Sequence, residues 1–114
     1  MTRHDDPTRL RHMLDHAIEA VRAARDRRRE DLDNDRMLNL ALVRLLEIVG
    51  EAAAHVSQSA KDRWPGIPWP SIVGLRNRLI HGYDEVDFDV LWRIIRDDLP
   101  PLIAQLQRAL ASGT

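Results

Sequence analysis

Apolar residues recur every three or four positions along most of the chain, the spacing of one face of an α-helix. Leu10, Met13, Leu14, Ala17, Ile18, Val21 and Ala24 form the first stripe, and Asp6 followed by Pro7 predicts its N-cap and first turn. The second helix is predicted from near Asn34. It carries the longest stripe, from Met37 through Leu42, Leu45, Leu46 and Val49 to Val56. Gly50 lies inside it, and its lack of a side chain would let a neighbouring helix approach closely at a propensity cost of about 1 kcal/mol.

The stretch "WPGIPWP" (64–70) cannot continue a helix, because three prolines and a glycine remove donors and restrict the backbone. A third helix is predicted from Pro68 or Pro70 to His81, with Gly82 as its left-handed cap. Asp87 is placed as the next N-cap. A fourth helix follows through Val90, Leu91, Ile94 and Ile95, and Pro100–Pro101 either kinks it or starts a fifth. No strand alternation or internal repeat is present. The expectation is an all-α, compact four- to five-helix bundle in a single domain, with an ordered core over residues 7–111.

Composition narrows the class. With 44% hydrophobic and 31% charged residues the chain reads as globular, and a length of 114 residues supports one modest core. It has no cysteine, so disulfides, thiolate metal sites and cysteine nucleophiles are excluded. No apolar run reaches the length of a membrane span, and "MTRHDDPTRLRHM" lacks a signal-peptide core, so a cytoplasmic protein is expected. A net charge of −1 argues against coating nucleic acid by bulk electrostatics. Within the basic block "RAARDRRRE" (22–30), the arginine run at 25–29 is read mainly as structural, closing a helix where cations suit the dipole, with RNA contact as the lesser reading. His12 and His16 are one turn apart, but no third ligand stands at a convincing spacing, so no metal site is expected. Trp64 and Trp69 flank the proline break and are expected to pin it to the core.

The stretch that packing does not explain is "RNRLIHGY", residues 76–83. On a helical wheel through the third helix, Ile72, Val73, Leu75, Leu79 and Ile80 fill one apolar arc, and Arg76 falls inside it. A guanidinium on a buried face must be paired, or must line a cleft or a subunit interface. An ion pair with Glu47 or Glu51 is one such solution. His81 is the best candidate for acid–base work near neutral pH, with Asn77 one turn before it. Arg76 and His81 are separated by about 140° on a straight helix, so one helix would not aim both at one atom. Fraying at Gly82, or two copies facing each other across a two-fold axis, would close the gap.

Arg76, His81 and Tyr83 follow the pattern R-x4-H-x-Y, and the chain resembles HEPN-domain proteins of the HepT type. The likeness extends over "RHMLDHAIEA", "LDNDRMLNLALVRLLEIVGEAA", "IPWPSIVGLRNRLIHGYDEVDFDVLW" and "DLPPLI". It implies a dimeric helical bundle whose two motifs line one cleft, acting as a metal-independent endoribonuclease toxin beside a minimal nucleotidyltransferase antitoxin. Carried over by position, Arg76 would hold the scissile phosphate and His81 would be acid–base in attack by the ribose 2′-hydroxyl. Asn77 and Arg78 would orient the substrate. Tyr83 would receive AMP from the antitoxin, adding bulk and negative charge that repel RNA. RNA, the antitoxin and a second copy of the chain are therefore the expected partners, and no cofactor is expected. Two other readings stay open: a non-catalytic HEPN module that binds a nucleotide or docks a nucleotidyltransferase, and a purely structural helical dimer.

Overall fold

The computed structural model describes residues 5–82 and 85–112. The helical elements are α1 (Asp6–Ala24), α2 (Asp31–Asn34), α3 (Arg36–Ala54), α4 (Gln58–Arg63), α5 (Trp69–Val73), α6 (Leu75–Leu79), α7 (Phe88–Arg93) and α8 (Leu99–Ala111), with a π-helical turn, Ile94–Asp98, joining α7 to α8. The described residues contain no strand. A single antiparallel bridge joins Ile80 to Val86. Among the described residues no helix is long and apolar enough to cross a membrane.

The predicted stripes are the core. α1 buries Leu10, Met13, Leu14, Ala17, Ala20 and Ala24 against α3, which contributes Leu42, Leu46, Val49 and Ala53, and against α8, which contributes Leu102, Leu106 and Ala109. Full removal of side chains such as Leu10, Leu42 and Leu106 from water stabilises the fold by about 1.5–3 kcal/mol each. The start of α1 is tied to the end of α3 by Asp6, which accepts from the Ser57 amide at 2.9 Å and the Ser57 hydroxyl at 2.6 Å. The other ends are joined by an Arg27–Asp35 ion pair of 2.7 Å. The N-cap of α1 is Asp5, one residue before the predicted Asp6, because its carboxylate accepts from the Thr8 amide and leaves Asp6 for Ser57.

α1 ends at Ala24, with Arg22 in its last turn and Arg25 as its C-cap, so the arginines begin where the helix closes, and the rest of the block turns outside it through Asp26 at a φ of 65°. The third helix is two short ones. Gly74, at ψ 9° rather than the helical value near −42°, separates α5 from α6. Pro100 and Pro101 stand in the first turn of α8, so the second of the two expected outcomes, the start of a further helix, is the one found. They cannot donate to the carbonyls four residues back, and the chain widens into a π turn, with the Leu99 amide on the Ile94 carbonyl, before continuing as α8.

Gly50 does what its position in the stripe predicts. A Cβ there would lie 2.9 Å from the Ile72 carbonyl oxygen, so α5 seats directly on α3. The proline break is anchored by buried Ile67 and Trp69, and the Trp69 indole donates to the Trp64 carbonyl at 3.1 Å.

Candidate active site

Two neighbouring segments carry the candidate chemistry. α6 presents Arg76, Asn77 and Arg78, and the bridged loop that follows presents His81. Arg76 is not on a buried face: its side chain is 71% exposed, and its Nε lies 3.2 Å from the Glu47 carboxylate on α3. The wheel misplaced it because the backbone resets at Gly74, which rotates α6 relative to α5. Leu75 and Leu79 still face the core. Glu47 is also 3.9 Å from Arg44, which in turn reaches Glu51 at 3.2 Å. The predicted acidic partner therefore exists, in a surface network. Arg76 and Asn77 line an open cleft of about 250 Å³ with Glu47, Gly50, Glu51 and Val73.

His81 leaves the helix altogether. α6 ends at Leu79, and Ile80 is extended at φ −110°, ψ 119°. The His81 amide donates to the Glu85 carbonyl at 2.8 Å, and the Asp87 amide donates to Leu79 at 2.8 Å, closing a small loop. Gly82, at φ 126°, serves this loop rather than capping a helix, and a side chain there would be strained. Tyr83 lies outside the described residues.

The loop brings His81 to a residue that the sequence identifies only as a cap. Asp87 Oδ2 stands 3.3 Å from His81 Nε2, while Oδ1 accepts from the Val90 amide at 3.0 Å as the N-cap of α7. The Val90 amide first, and His81 after it, hold the Asp87 carboxyl below the usual carboxylate range. An ionised carboxylate fixed by a backbone donor is suited to orient an imidazole and to stabilise its protonated form. The only hint in the sequence is an acid six residues after the histidine. Arg78 is drawn elsewhere, to Asp98 at 3.4 Å, so among these residues Arg76 and Asn77 share one cleft while His81 and Arg78 each meet a different carboxylate.

The remaining candidates are structural. His16 Nδ1 is 2.6 Å from the His12 carbonyl, and the two rings meet edge-on at 6.4 Å. Among the described residues, no group of three or more His, Cys, Asp or Glu side chains stands close enough to hold a metal ion.

A family model described as ribonuclease HepT-like matches residues 13–109. A Methanocaldococcus jannaschii protein named "Putative RNase" is 32% identical over 94% of this chain and 98% of its own length. A Thermococcus cleftensis protein named "Probable ribonuclease HepT" is 37% identical over 69% of this chain and 72% of its own. No solved structure gave a significant match.

Proposed function

The chain belongs to the HepT-like ribonuclease family, and from that membership and the placement of Arg76 and His81 we propose that it is a metal-independent endoribonuclease. The observation that carries the reading is that an exposed guanidinium and an exposed, carboxylate-oriented imidazole stand on consecutive segments, neither of them used by the core.

Arg76 binds the scissile phosphate, exchanging Glu47 for a phosphate oxygen. His81, aligned by Asp87, takes the proton of the ribose 2′-hydroxyl as the 2′-oxygen bonds to phosphorus. The bond from phosphorus to the 5′-oxygen breaks, and that proton is returned to the leaving oxygen. The products are a 2′,3′-cyclic phosphate and a 5′-hydroxyl. The nucleophile is internal to the substrate, so proton transfer and charge stabilisation suffice. Asn77 and Arg78 orient the flanking nucleotide.

The working unit is a dimer. Met37 and Leu40 on the outer face of α3, and Val73 beside Arg76, are large apolar side chains left 77%, 48% and 41% exposed. Covering them with a second copy would place both Arg76–His81 sets along one cleft. In the cytoplasm the toxin is silenced by a small nucleotidyltransferase, which joins the Tyr83 phenolic oxygen to the α-phosphorus of ATP as pyrophosphate leaves. The alternative, a non-catalytic docking or nucleotide-binding module, draws on Glu47 already occupying Arg76.

Mixing Arg76→Ala with His81→Ala protein tests the shared cleft. If Arg76 and His81 act across the interface, random re-pairing restores about a quarter of wild-type cleavage, one intact site in half of the dimers. No recovery at all would place each pair within one chain.

A further inference from the structure

A second basic feature lies where the turn after α1 meets the π turn before α8. Arg25, Arg27 and Arg96 rim a cavity of about 330 Å³ whose floor is Val21, Ala24 and Ile95. Asp26 is the one carboxylate among its lining residues. Four nearby acids are already committed, Asp35 to Arg27 at 2.7 Å, Asp33 and Asp89 to Arg29 at 2.9 and 2.6 Å, and Asp31 to the Arg28 amide at 2.7 Å, while Glu30 and Asp97 are exposed. Arg25, Arg93 and Arg96 are exposed, and none makes an ion pair among the described residues. The Arg96 guanidinium instead lies over the Trp92 ring, 5.8 Å from its centroid.

This cluster and the candidate active site are carried by the two ends of one helical run. Asp89, held by Arg29, is two residues beyond Asp87, the partner of His81. Arg93 follows Asp89 by one α-helical turn, and Arg96 follows in the π turn that continues the same run. Asp87 and Arg96 are nine positions apart, across α7 and into the π turn, so the separation stays below the roughly 14 Å that nine residues of α-helix would span. Guanidinium forks match phosphate oxygens, and an aromatic ring beside a cationic rim suits an unpaired base.

We propose that Arg25, Arg93 and Arg96 form an accessory strip that binds the phosphates of single-stranded RNA flanking the cleavage point. The inference rests on the ribonuclease reading and deepens it. The strip supplies affinity for long RNA and leaves the chemistry at His81 unchanged. A local set of exposed arginines, rather than the overall balance, would then hold RNA for a chain of net charge −1.

The test uses full-length protein and a 2′-O-methyl RNA long enough to span site and strip, which binds but has no nucleophile. Affinity is measured against salt for wild type, for Arg25→Ala/Arg96→Ala and for Arg25→Lys/Arg96→Lys. The alanine pair should weaken binding about tenfold or more at low salt and reduce the log–log salt slope by about 1.4, at roughly 0.7 per lost phosphate contact. The lysine pair should keep most of that slope. In cleavage assays the alanine pair should raise KM for long RNA, keep kcat, and cut a short oligonucleotide as wild type does.

Unchanged affinity and slope in a variant that still cleaves would overturn the strip and leave the ribonuclease reading intact. RNA bound through the strip by a wild type that cuts nothing would do the reverse. Unchanged RNA binding with lost binding of an acidic protein partner would reassign the arginines to that partner, again overturning the proposal. A misfolded alanine pair, detected by circular dichroism, passes the decision to the lysine pair and to Arg93→Ala.

Discussion

His81 and Asp87, six positions apart, face each other at 3.3 Å, and the same carboxylate that meets the imidazole also caps α7. The cap and the orienting contact use different oxygens, so the position of the histidine is fixed by the start of the next helix. Replacing Asp87 by asparagine should separate the two roles, since asparagine caps as well as aspartate. We expect an unchanged fold, an unchanged KM and a kcat lowered about tenfold, the scale of turning a charge-assisted hydrogen bond into a neutral one. Wild-type kcat in Asp87→Asn would remove Asp87 from the mechanism.

Arg76 reaches solvent already paired with Glu47, so substrate phosphate must compete with a carboxylate. Glu47→Gln should lower KM for RNA several-fold and leave kcat alone. The unfolding midpoint should move little, because exposed ion pairs contribute modestly. A raised KM would mean that Glu47 aligns the arginine rather than competing for it.

Gly50 sets how closely α5 and α6 sit on α3. Alanine there gains about 1 kcal/mol of helix propensity but drives a methyl into the Ile72 carbonyl, an overpacking cost of about 2–3 kcal/mol, so a net loss of about 1–2 kcal/mol is expected in denaturant unfolding. Because the same helices carry Arg76, cleavage should fall as well. Stability equal to or above wild type would show that the α3–α5 seat is not tight.

The acid limb of stability has a named origin. The Ser57 hydroxyl, and then its amide, hold the Asp6 carboxyl below the usual range. A depressed folded-state value means that the contribution is complete above the unfolded carboxylate value of about 3.9 and disappears as pH falls through the folded value. Asp6→Asn should therefore flatten the loss of stability between neutral pH and about pH 3. Curves that stay parallel across that range would place the acid sensitivity elsewhere, with Asp35 and Asp87, also held low, as the next groups to substitute.

Much of this was legible in the sequence, for physical reasons that differ by element. The stripes of α1, α3 and α8 are long enough for periodicity to define both element and face, and Gly50 could be read as a contact because it interrupts the most apolar of them. Asp87 was legible as a cap, and Glu47 as one of two partners for Arg76. What escaped was local backbone geometry. Gly74 resets the turn that carries Arg76 into solvent, and the Ile80–Val86 bridge lifts His81 off the helix. Neither leaves a periodic trace, because each depends on one residue's dihedral angles or on pairing around a loop. The π turn before Pro100 was hidden likewise: two prolines announce a disturbance without saying which hydrogen bonds replace the lost ones.

The central claim is that Arg76 and His81 cleave RNA through the substrate's own 2′-hydroxyl. The most direct measurement is end-group analysis of RNA incubated in EDTA with wild type, His81→Ala and Arg76→Ala protein. The account predicts 2′,3′-cyclic phosphate and 5′-hydroxyl ends from wild type. It also predicts losses of about 10²–10⁴-fold without His81 and about 10²–10³-fold without Arg76, in variants that remain folded. Ends bearing 5′-phosphate, or full activity in either variant, would contradict it.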